Sequence, residues 1–335
     1  MPRVPVISLH ELSGNRDKLG ELDRACREWG FFQLVDHGLD SGRLDVVHQQ
    51  MRRFFSLPGE DKRRIERSAE NAWGFFDREL TKNRLDWKQI FDFGPAERPA
   101  ELPAGPPAGP SAGRSAALAG SHPQWPEGLP GFQAEMEAWY EDCEAVSFRL
   151  LEGIALNLGL PAGGLEKAFR PDGTSFLRLN YYPRCARPAP ADMPAGGDAG
   201  ELGIHHHTDA GALTILLQDA QPGLQVLHEG RWQLVEPMPG ALTVNVGDVV
   251  QVWSNDRYRA PLHRVLASAE SSRYSAAFFF NPSYATDYAP IGSCLDPGEP
   301  IRYRPINWGQ FRSGRAAGDY ADYGEEIQIE HFRVQ

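Results

Sequence analysis

The residues best suited to metal chemistry are a histidine cluster that runs into an aspartate, together with a histidine further along the chain. His207 and Asp209 are separated by a single residue, and His263 follows later. In an extended chain, residues two apart point to the same side, so His207 and Asp209 can face one cavity while Thr208 faces away. Two imidazoles and one carboxylate on one face of an octahedron leave three positions open, which is typical of non-haem iron(II) sites. A polar loop or incidental metal binding would also suit these residues, because short motifs often arise by chance.

A second pair with the same spacing suits the binding of an anion. Arg273 and Ser275 lie shortly after His263 and are also two residues apart. A guanidinium can grip both oxygens of a carboxylate, and a hydroxyl adds a further hydrogen bond. The apolar residues at 276–280 indicate that this strand is buried rather than at a surface edge. We therefore expect a carboxylate to bind beside the metal candidates.

Both groups lie in a half of the chain that has the pattern of β-structure. Beyond residue 174, short runs of β-branched and aromatic residues alternate with turn signals. Strands are expected at 175–182, 212–218, 224–228, 232–235, 241–246, 249–253, 263–266 and 273–280. Eight strands at this spacing suit a double-sheet jelly roll, the double-stranded β-helix.

The first half is predicted to be mainly helical. Apolar periodicity predicts helices over 17–29, 41–56 and 132–158, with short strands at 4–9 and 31–35. The expected fold class is mixed α and β, with a jelly-roll core and an N-terminal, mostly helical shell. We divide the chain into an N-terminal region at 1–120 that ends in a mobile loop rich in Ala, Gly and Pro, a core-helix segment at 121–174, the jelly roll at 175–285 and a closing segment at 286–335.

Net charge, apolar runs and cysteine spacing limit the kinds of molecule that this protein can bind. The 335 residues carry a formal net charge of −11, which disfavours nucleic acids and anionic membranes as partners. No apolar run reaches the ~18 residues that a membrane helix needs, and the N-terminus shows no signal-peptide core. The four cysteines match neither a zinc nor a CxxC redox spacing. We expect a cytoplasmic monomer that acts on a small molecule.

With these features in place, the sequence resembles the isopenicillin N synthase-like family of Fe(II)- and 2-oxoglutarate-dependent oxygenases. The resemblance covers nearly the whole chain, including an N-terminal region of the non-haem dioxygenase type. Its ordered matches are Val4-Pro5-Val6-Ile7, Trp29-Gly30-Phe31-Phe32, His37-Gly38, Asp86-Trp87-Lys88, Phe91-Asp92-Phe93-Gly94, Asn180-Tyr181-Tyr182-Pro183, His207-Thr208-Asp209, Pro222-Gly223-Leu224-Gln225-Val226, Asn245-Val246-Gly247-Asp248, Ser254-Asn255, His263-Arg264-Val265 and Arg273-Tyr274-Ser275. Two departures, Trp73-Gly74-Phe75 and the insertion at 100–120, fall where substrate contacts are expected.

The resemblance implies a metal and two cosubstrates. His207, Asp209 and His263 would bind Fe(II), which 2-oxoglutarate chelates through its 1-carboxylate and 2-keto oxygens, leaving one position for O2. The reaction would oxidise an unactivated C–H bond of a small specialised metabolite by hydroxylation, desaturation or ring closure, with release of succinate and CO2. A carboxylate or an amino-acid derivative is the expected kind of substrate.

The resemblance also implies how the protein holds 2-oxoglutarate. Arg273 and Ser275 would bind its distal carboxylate, and Tyr182 would donate a hydrogen bond to the same group. Asn180 would lie near the metal end of the cosubstrate. Asn180 and Tyr182 share one strand face by parity, which agrees with these roles.

Parity nominates the substrate contacts as well. If Arg273 and Ser275 face the cavity, Phe279 on the same strand faces it too. Arg178 lies two residues before Asn180 and is expected to face the cavity for the same reason. Arg178 would meet an anionic group of the substrate or, alternatively, form an internal salt bridge, because buried charges are generally paired. Phe75 and Phe93 are further candidates to cap the cavity from the N-terminal region.

Two other functions remain open at this point. One is a 2-oxoglutarate-independent oxidase of the isopenicillin N synthase type, in which the same arginine and serine hold the substrate. The other is a non-enzymatic jelly-roll binding protein whose histidines bind metal incidentally.

Overall fold

Two β-sheets face each other across a cavity, and helices cover the larger sheet. The computed structural model describes residues 3–68, 71–95, 121–320 and 327–334, so the insertion predicted at 100–120 lies outside the described residues. The helices of more than one turn are α1 (Arg16–Glu28), α2 (Ser41–Phe55), α3 (Gly59–Arg63), α4 (Phe132–Asn157), α5 (Asp248–Trp253) and α6 (Trp308–Tyr320).

Sixteen strands are assigned within the described residues. In chain order they are β1 (Val6–Ser8), β2 (Phe31–Val35), β3 (Gly74–Phe76), β4 (Leu80–Thr81), β5 (Arg84–Leu85), β6 (Gln89–Phe93), β7 (Phe176–Tyr182), β8 (Leu202–His207), β9 (Leu213–Gln218), β10 (Leu224–His228), β11 (Arg231–Leu234), β12 (Leu242–Val246), β13 (His263–Leu266), β14 (Arg273–Phe280), β15 (Asp287–Tyr288) and β16 (Ile306–Asn307). The major sheet has the order β1-β2-β12-β9-β14-β7-β6-β3, and the minor sheet has the order β11-β10-β13-β8.

The strands β7 and β14 form the wall that matters most for the site. They pair antiparallel, with Arg273 opposite Tyr182 and Ser275 opposite Asn180. The face that carries these residues lines the cavity. The opposite face packs against α4, where Phe278 meets Tyr140 edge-on at 4.9 Å between ring centroids. One register therefore separates cavity residues from core residues along the full length of both strands.

The N-terminal region contributes more than helices. Four of its strands, β1, β2, β3 and β6, complete the two ends of the major sheet. The segment before residue 96 is thus continuous with the jelly roll through backbone hydrogen bonds, and the proposed division into four segments remains a prediction.

One predicted strand is wrong. Residues 249–253 form helix α5, with Val249, Val250 and Val252 buried together with their neighbours. Every residue of the run is buried, so neither a period of two nor a helical period shows in the sequence. The backbone N–H groups of Asp248 and Val249 donate to the carbonyls of Asp209 and Gly211, which holds the turn against the loop that carries Asp209.

The strand that carries the histidines, β8, is absent from the predicted set. Its first half, Leu202-Gly203-Ile204, is short, and its second half is three histidines, so the usual strand composition is missing. Residues 186–200, just before it, form a largely exposed loop that is anchored where Arg264 donates to the carbonyls of Ala191 and Met193.

A close backbone approach at Gly30 gives a test of this packing. Gly30 has φ +61°, and a Cβ there would lie 2.4 Å from the carbonyl oxygen of Arg259. We expect Gly30→Ala to lower the free energy of unfolding by more than about 1 kcal/mol, through both the left-handed backbone and the clash. Gly20→Ala is the matched control: Gly20 lies inside α1 with open space around it, so alanine should stabilise by roughly 0.5–1 kcal/mol. Urea unfolding measures both, and equal effects would contradict the account.

Candidate metal and cosubstrate site

The three predicted metal ligands come together at one end of the cavity. One ligand atom from each of His207, Asp209 and His263 lies within 4.8 Å of the others. The Oδ1 atom of Asp209 is 3.5 Å from Nε2 of His207 and 3.6 Å from Nε2 of His263. The two histidines are register partners in the pairing of β8 with β13, which explains their proximity.

Backbone carbonyls set the orientation of both imidazoles. Nδ1 of His207 donates to the carbonyl of His205 at 2.8 Å, and Nδ1 of His263 donates to the carbonyl of Pro261 at 3.0 Å. A carbonyl only accepts, so Nδ1 carries the proton and the Nε2 lone pair is available to a metal. Burial, with His207 nearby, lowers the pKa of His263 to about 4, against a smaller opposing effect of Asp209. His263 is therefore neutral at neutral pH, as a ligand must be.

The carboxylate is oriented in the same way. Oδ2 of Asp209 accepts hydrogen bonds from Thr214 and from Asn245, at 2.5 and 2.8 Å, which leaves Oδ1 for a metal. Burial raises the pKa of Asp209, but His263, His207 and the Asn245 hydrogen bond outweigh it, and the pKa lies well below the ordinary value. Two imidazoles with free Nε2 atoms and one ionised carboxylate fit iron(II).

Thr214 and Asn245 were not predicted as site residues. They stand opposite each other in the pairing of β9 with β12. The signal was present in Leu242-Thr243-Val244-Asn245-Val246, where an asparagine interrupts a strand whose residues are all buried. A buried polar side chain needs a partner, and here that partner is Asp209.

The residues predicted to hold 2-oxoglutarate line the adjoining wall. Arg273, Ser275, Tyr182 and Asn180 all border the cavity that contains the triad. The Arg273 guanidinium lies 5.0 Å from the centre of the Tyr182 ring, and Nη1 is 3.5 Å from the Ser275 hydroxyl. The Oδ1 atom of Asn180 is buried without a partner among the described residues.

Arg273 supplies the decisive electrostatic feature. Its side chain is buried, and no acidic residue in the described part of the chain forms an ion pair with it. Its hydrogen bonds to the chain go to neutral groups, the amide oxygen of Gln218 at 3.1 Å and the Ser275 hydroxyl at 3.5 Å, and its Nε has no partner there. A buried guanidinium without a counter-ion is costly, so an anion is expected to complete it. Gln218, like Asn245, was not predicted from the sequence.

Comparison with known proteins agrees with this geometry. Residues 173–282 match the model of the 2OG-Fe(II) oxygenase superfamily, and residues 4–113 match the N-terminal model described as non-haem dioxygenase in morphine synthesis. Jasmonate-induced oxygenase 1 of Arabidopsis thaliana is 34% identical over 317 residues, which cover 92% of this chain and 71% of that protein. The chain belongs to the 2OG-Fe(II) oxygenase superfamily.

Solved structures extend the agreement to the fold. A crystal structure of JOX2 in complex with 2OG, Fe and JA has a TM-score of 0.77 at 29% identity, over 98% of this chain and 88% of that one. A rice dioxygenase for auxin oxidation has a TM-score of 0.71 at 26% identity, over 99% of this chain and 100% of that one. The predicted fold class and the prediction of an Fe(II)- and 2-oxoglutarate-dependent dioxygenase are confirmed. Within the described residues, no helix has the length and apolar character needed to cross a bilayer.

Arg178 lines the cavity, but the structure contradicts its prediction as an anion contact. Its guanidinium binds Asp92 through two bonds of 2.8 and 2.7 Å and Glu79 through contacts of 2.8 and 2.7 Å. Lys88 and Arg67 also contact Glu79, and Lys88 contacts Asp86 as well, so three cations and three carboxylates balance in this cluster. The internal salt bridge, the alternative left open by the sequence, is what forms.

Of the three phenylalanines predicted to contact the substrate, Phe279 lines the cavity. The prediction that Phe75 and Phe93 cap the cavity is wrong. In the pairing of β6 with β7, Asp92 is opposite Arg178, so Asp92 faces the cavity and its neighbour Phe93 faces away. Phe93 packs on Trp125, 4.8 Å between ring centroids, and Phe75 is buried in the same hydrophobic core. Neither borders the cavity, because strand parity directs both toward the helical layer.

The ionic cluster around Glu79 predicts a pH dependence of stability. Burial raises the pKa of Glu79, but Arg178, Lys88 and Arg67 lower it further, to about 2. Because the folded pKa is below that of the unfolded chain, this stabilisation is present above about pH 4.5 and is lost as the pH falls toward 2. We expect Glu79→Gln to destabilise the protein strongly at pH 7 and progressively less below pH 4.5.

Urea unfolding between pH 7 and pH 3.5 measures this difference. Glu127→Gln, at an exposed position, is the matched control and should leave the free energy of unfolding unchanged. A Glu79→Gln penalty that stays constant over the whole pH range would contradict the assigned role of the cluster.

Proposed function

We propose that His207, Asp209 and His263 hold the iron, and that Arg273 and Ser275, with Tyr182 and Asn180, hold 2-oxoglutarate. The observation that carries this assignment is the buried Arg273, which has no acidic partner among the described residues and borders the same cavity as the triad. The distal carboxylate of 2-oxoglutarate is an anion of the size and charge that this position needs.

The protein residues supply binding, orientation and exclusion of water. When bound, iron(II), 2-oxoglutarate and O2 provide the oxidising chemistry, in which 2-oxoglutarate loses CO2 and becomes succinate. Thr214 and Asn245 keep Oδ1 of Asp209 directed at the metal position. Trp308 closes the cavity on one side. Its indole N–H donates a hydrogen bond to the Thr174 hydroxyl at 2.8 Å, so the indole adds no free polar group to the cavity lining.

The substrate in this proposal is a small metabolite with an apolar or aromatic body and an acidic group, oxidised at an unactivated C–H bond, most simply by hydroxylation. The cavity is about 160 Å³. Phe176 and Phe279 form an aromatic shelf with ring centroids 4.6 Å apart. The Arg312 guanidinium lies on the cavity wall, 4.9 Å from the Phe176 ring centre, and in this proposal it contacts the acidic group. The JA and auxin named for the two solved relatives support a small organic substrate.

An anaerobic optical titration tests the cosubstrate assignment. Fe(II) followed by 2-oxoglutarate should give the weak visible charge-transfer band of a keto-acid chelate. We expect His207→Ala and His263→Ala to abolish the band. Arg273→Gln should keep it but need roughly tenfold or more 2-oxoglutarate, because a charged hydrogen bond is worth about 1.5–3 kcal/mol. Stoichiometric iron binding without a band would move the assignment to an oxidase that does not use 2-oxoglutarate.

A matched pair of substrates tests the acidic group. Small carboxylic acids are screened by succinate release, and the first acid that is turned over is compared with its methyl ester. We expect Arg312→Gln to raise KM for the acid roughly tenfold and to leave KM for the ester nearly unchanged. An equal loss on acid and ester would remove Arg312 as the contact to the acidic group.

A further inference from the structure

The strand that presents His207 lies at the edge of its sheet. β8 is the last strand of the minor sheet, and β13 is its neighbour on one side. Their register is interrupted between His263 and Leu266. In the described part of the chain, no strand pairs with the other edge of β8. A metal ligand on such an edge needs other contacts to fix its backbone.

The segment Asp86-Trp87 supplies these contacts. The backbone N–H of Trp87 donates to the carbonyl of Leu202 at 2.9 Å. Oδ1 of Asp86 accepts two hydrogen bonds from His205, from the backbone N–H at 3.0 Å and from ring Nδ1 at 2.9 Å. The carboxylate thus holds His205 at two points, in the position that a neighbouring strand would otherwise occupy.

His205 in turn fixes the imidazole of His207. Its carbonyl accepts the hydrogen bond from Nδ1 of His207 at 2.8 Å, which sets the tautomer and the direction of Nε2. We propose that Asp86 is a positioning residue for the metal site, acting on His207 through His205. This inference rests on the proposed role of His207 as an iron ligand.

The chemistry of the position requires a carboxylate. Oδ2 of Asp86 accepts from the Thr81 hydroxyl at 2.8 Å and lies 3.1 Å from the ammonium of Lys88. Both oxygens are therefore occupied by donors. An amide has a single acceptor oxygen and cannot serve both His205 and Lys88. Asparagine at this position must release one side, although its shape is nearly that of aspartate.

Calorimetric titration of the metal-free full chain with Fe(II) alone, under argon, tests the proposal. We expect Asp86→Asn to raise the Kd for Fe(II) roughly tenfold, the lower end of the range for residues that support a metal ligand. His205→Phe keeps the carbonyl and a ring of similar size but loses the ring hydrogen bond, so a smaller rise is expected. A double variant should bind no more weakly than Asp86→Asn, because both act along one path.

Arg67→Gln is the matched control. Arg67 belongs to the same ionic cluster, at 3.5 Å from Glu79 and 3.4 Å from Asp92, but does not contact Asp86 or His205. It should lower the melting temperature and leave the Kd for Fe(II) within about twofold. If it weakens binding as much as Asp86→Asn does, general loosening of the cluster explains the effect and the positioning role is overturned.

The remaining outcomes separate this inference from the proposed function. Folded Asp86→Asn with an unchanged Kd overturns the inference. If Asp86→Asn does not fold, an unchanged Kd in His205→Phe overturns it instead. If His207→Ala still binds Fe(II) as the parent does, the proposed ligand set fails, whatever Asp86 does.

Discussion

The antiparallel pairing of β7 with β14 is the constraint on which the site depends. Side chains alternate between the two faces of a strand, so a single register assigns every residue of both strands to the cavity or to the core. Arg273, Ser275, Ala277 and Phe279 face the cavity beside Tyr182, Asn180, Arg178 and Phe176. A slip of one residue would turn Arg273 to the opposite face, where Tyr274 now packs on Tyr181 and on Phe55 of α2, away from the cavity. The cosubstrate position and the aromatic shelf therefore form together or not at all.

Buried charge distinguishes a structural arginine from a binding one in this cavity. Arg178 and Arg273 project from neighbouring strands into the same space, and both guanidiniums are largely shielded from water. Arg178 is neutralised by Asp92 and Glu79, whereas Arg273 has the neutral amide of Gln218. Since an unpaired buried charge is costly, the first arrangement is complete within the protein and the second needs a ligand. The sequence alone does not distinguish the roles of these two arginines. The positions of the carboxylates in the folded chain do.

Sequence-based prediction succeeded where the informative residues lie within one short segment, and it failed where a role depends on a residue far away along the chain. The spacing of His207 and Asp209, and of Arg273 and Ser275, is local, and strand parity turns it directly into a shared face. Strands such as β10 and β14 were predicted with their observed bounds. Asn245 and Gln218 act through Asp209 and Arg273, which are distant along the chain. A polar residue in a buried strand can be noticed in the sequence, but no local pattern reveals its partner. The assignments of Phe75 and Phe93 were wrong for the same reason, because the face of β6 is set by its register with β7.

The N-terminal region supports the candidate metal site at an edge that the jelly roll leaves without a paired strand. The minor sheet ends at β8, and β8 carries an expected iron ligand at its last residue, where fraying would be greatest. The segment around Asp86 covers that edge, and its carboxylate is held by Lys88, which also contacts Glu79 and so joins the cluster that neutralises Arg178. One network of buried charges thus supports the strand edge beside the candidate metal ligands and forms part of the cavity wall. Because Lys88 contacts both Asp86 and Glu79, a substitution that changes the charge near Arg178 also changes the charge around Asp86. This coupling limits how far the cavity wall can vary without disturbing the position of His207.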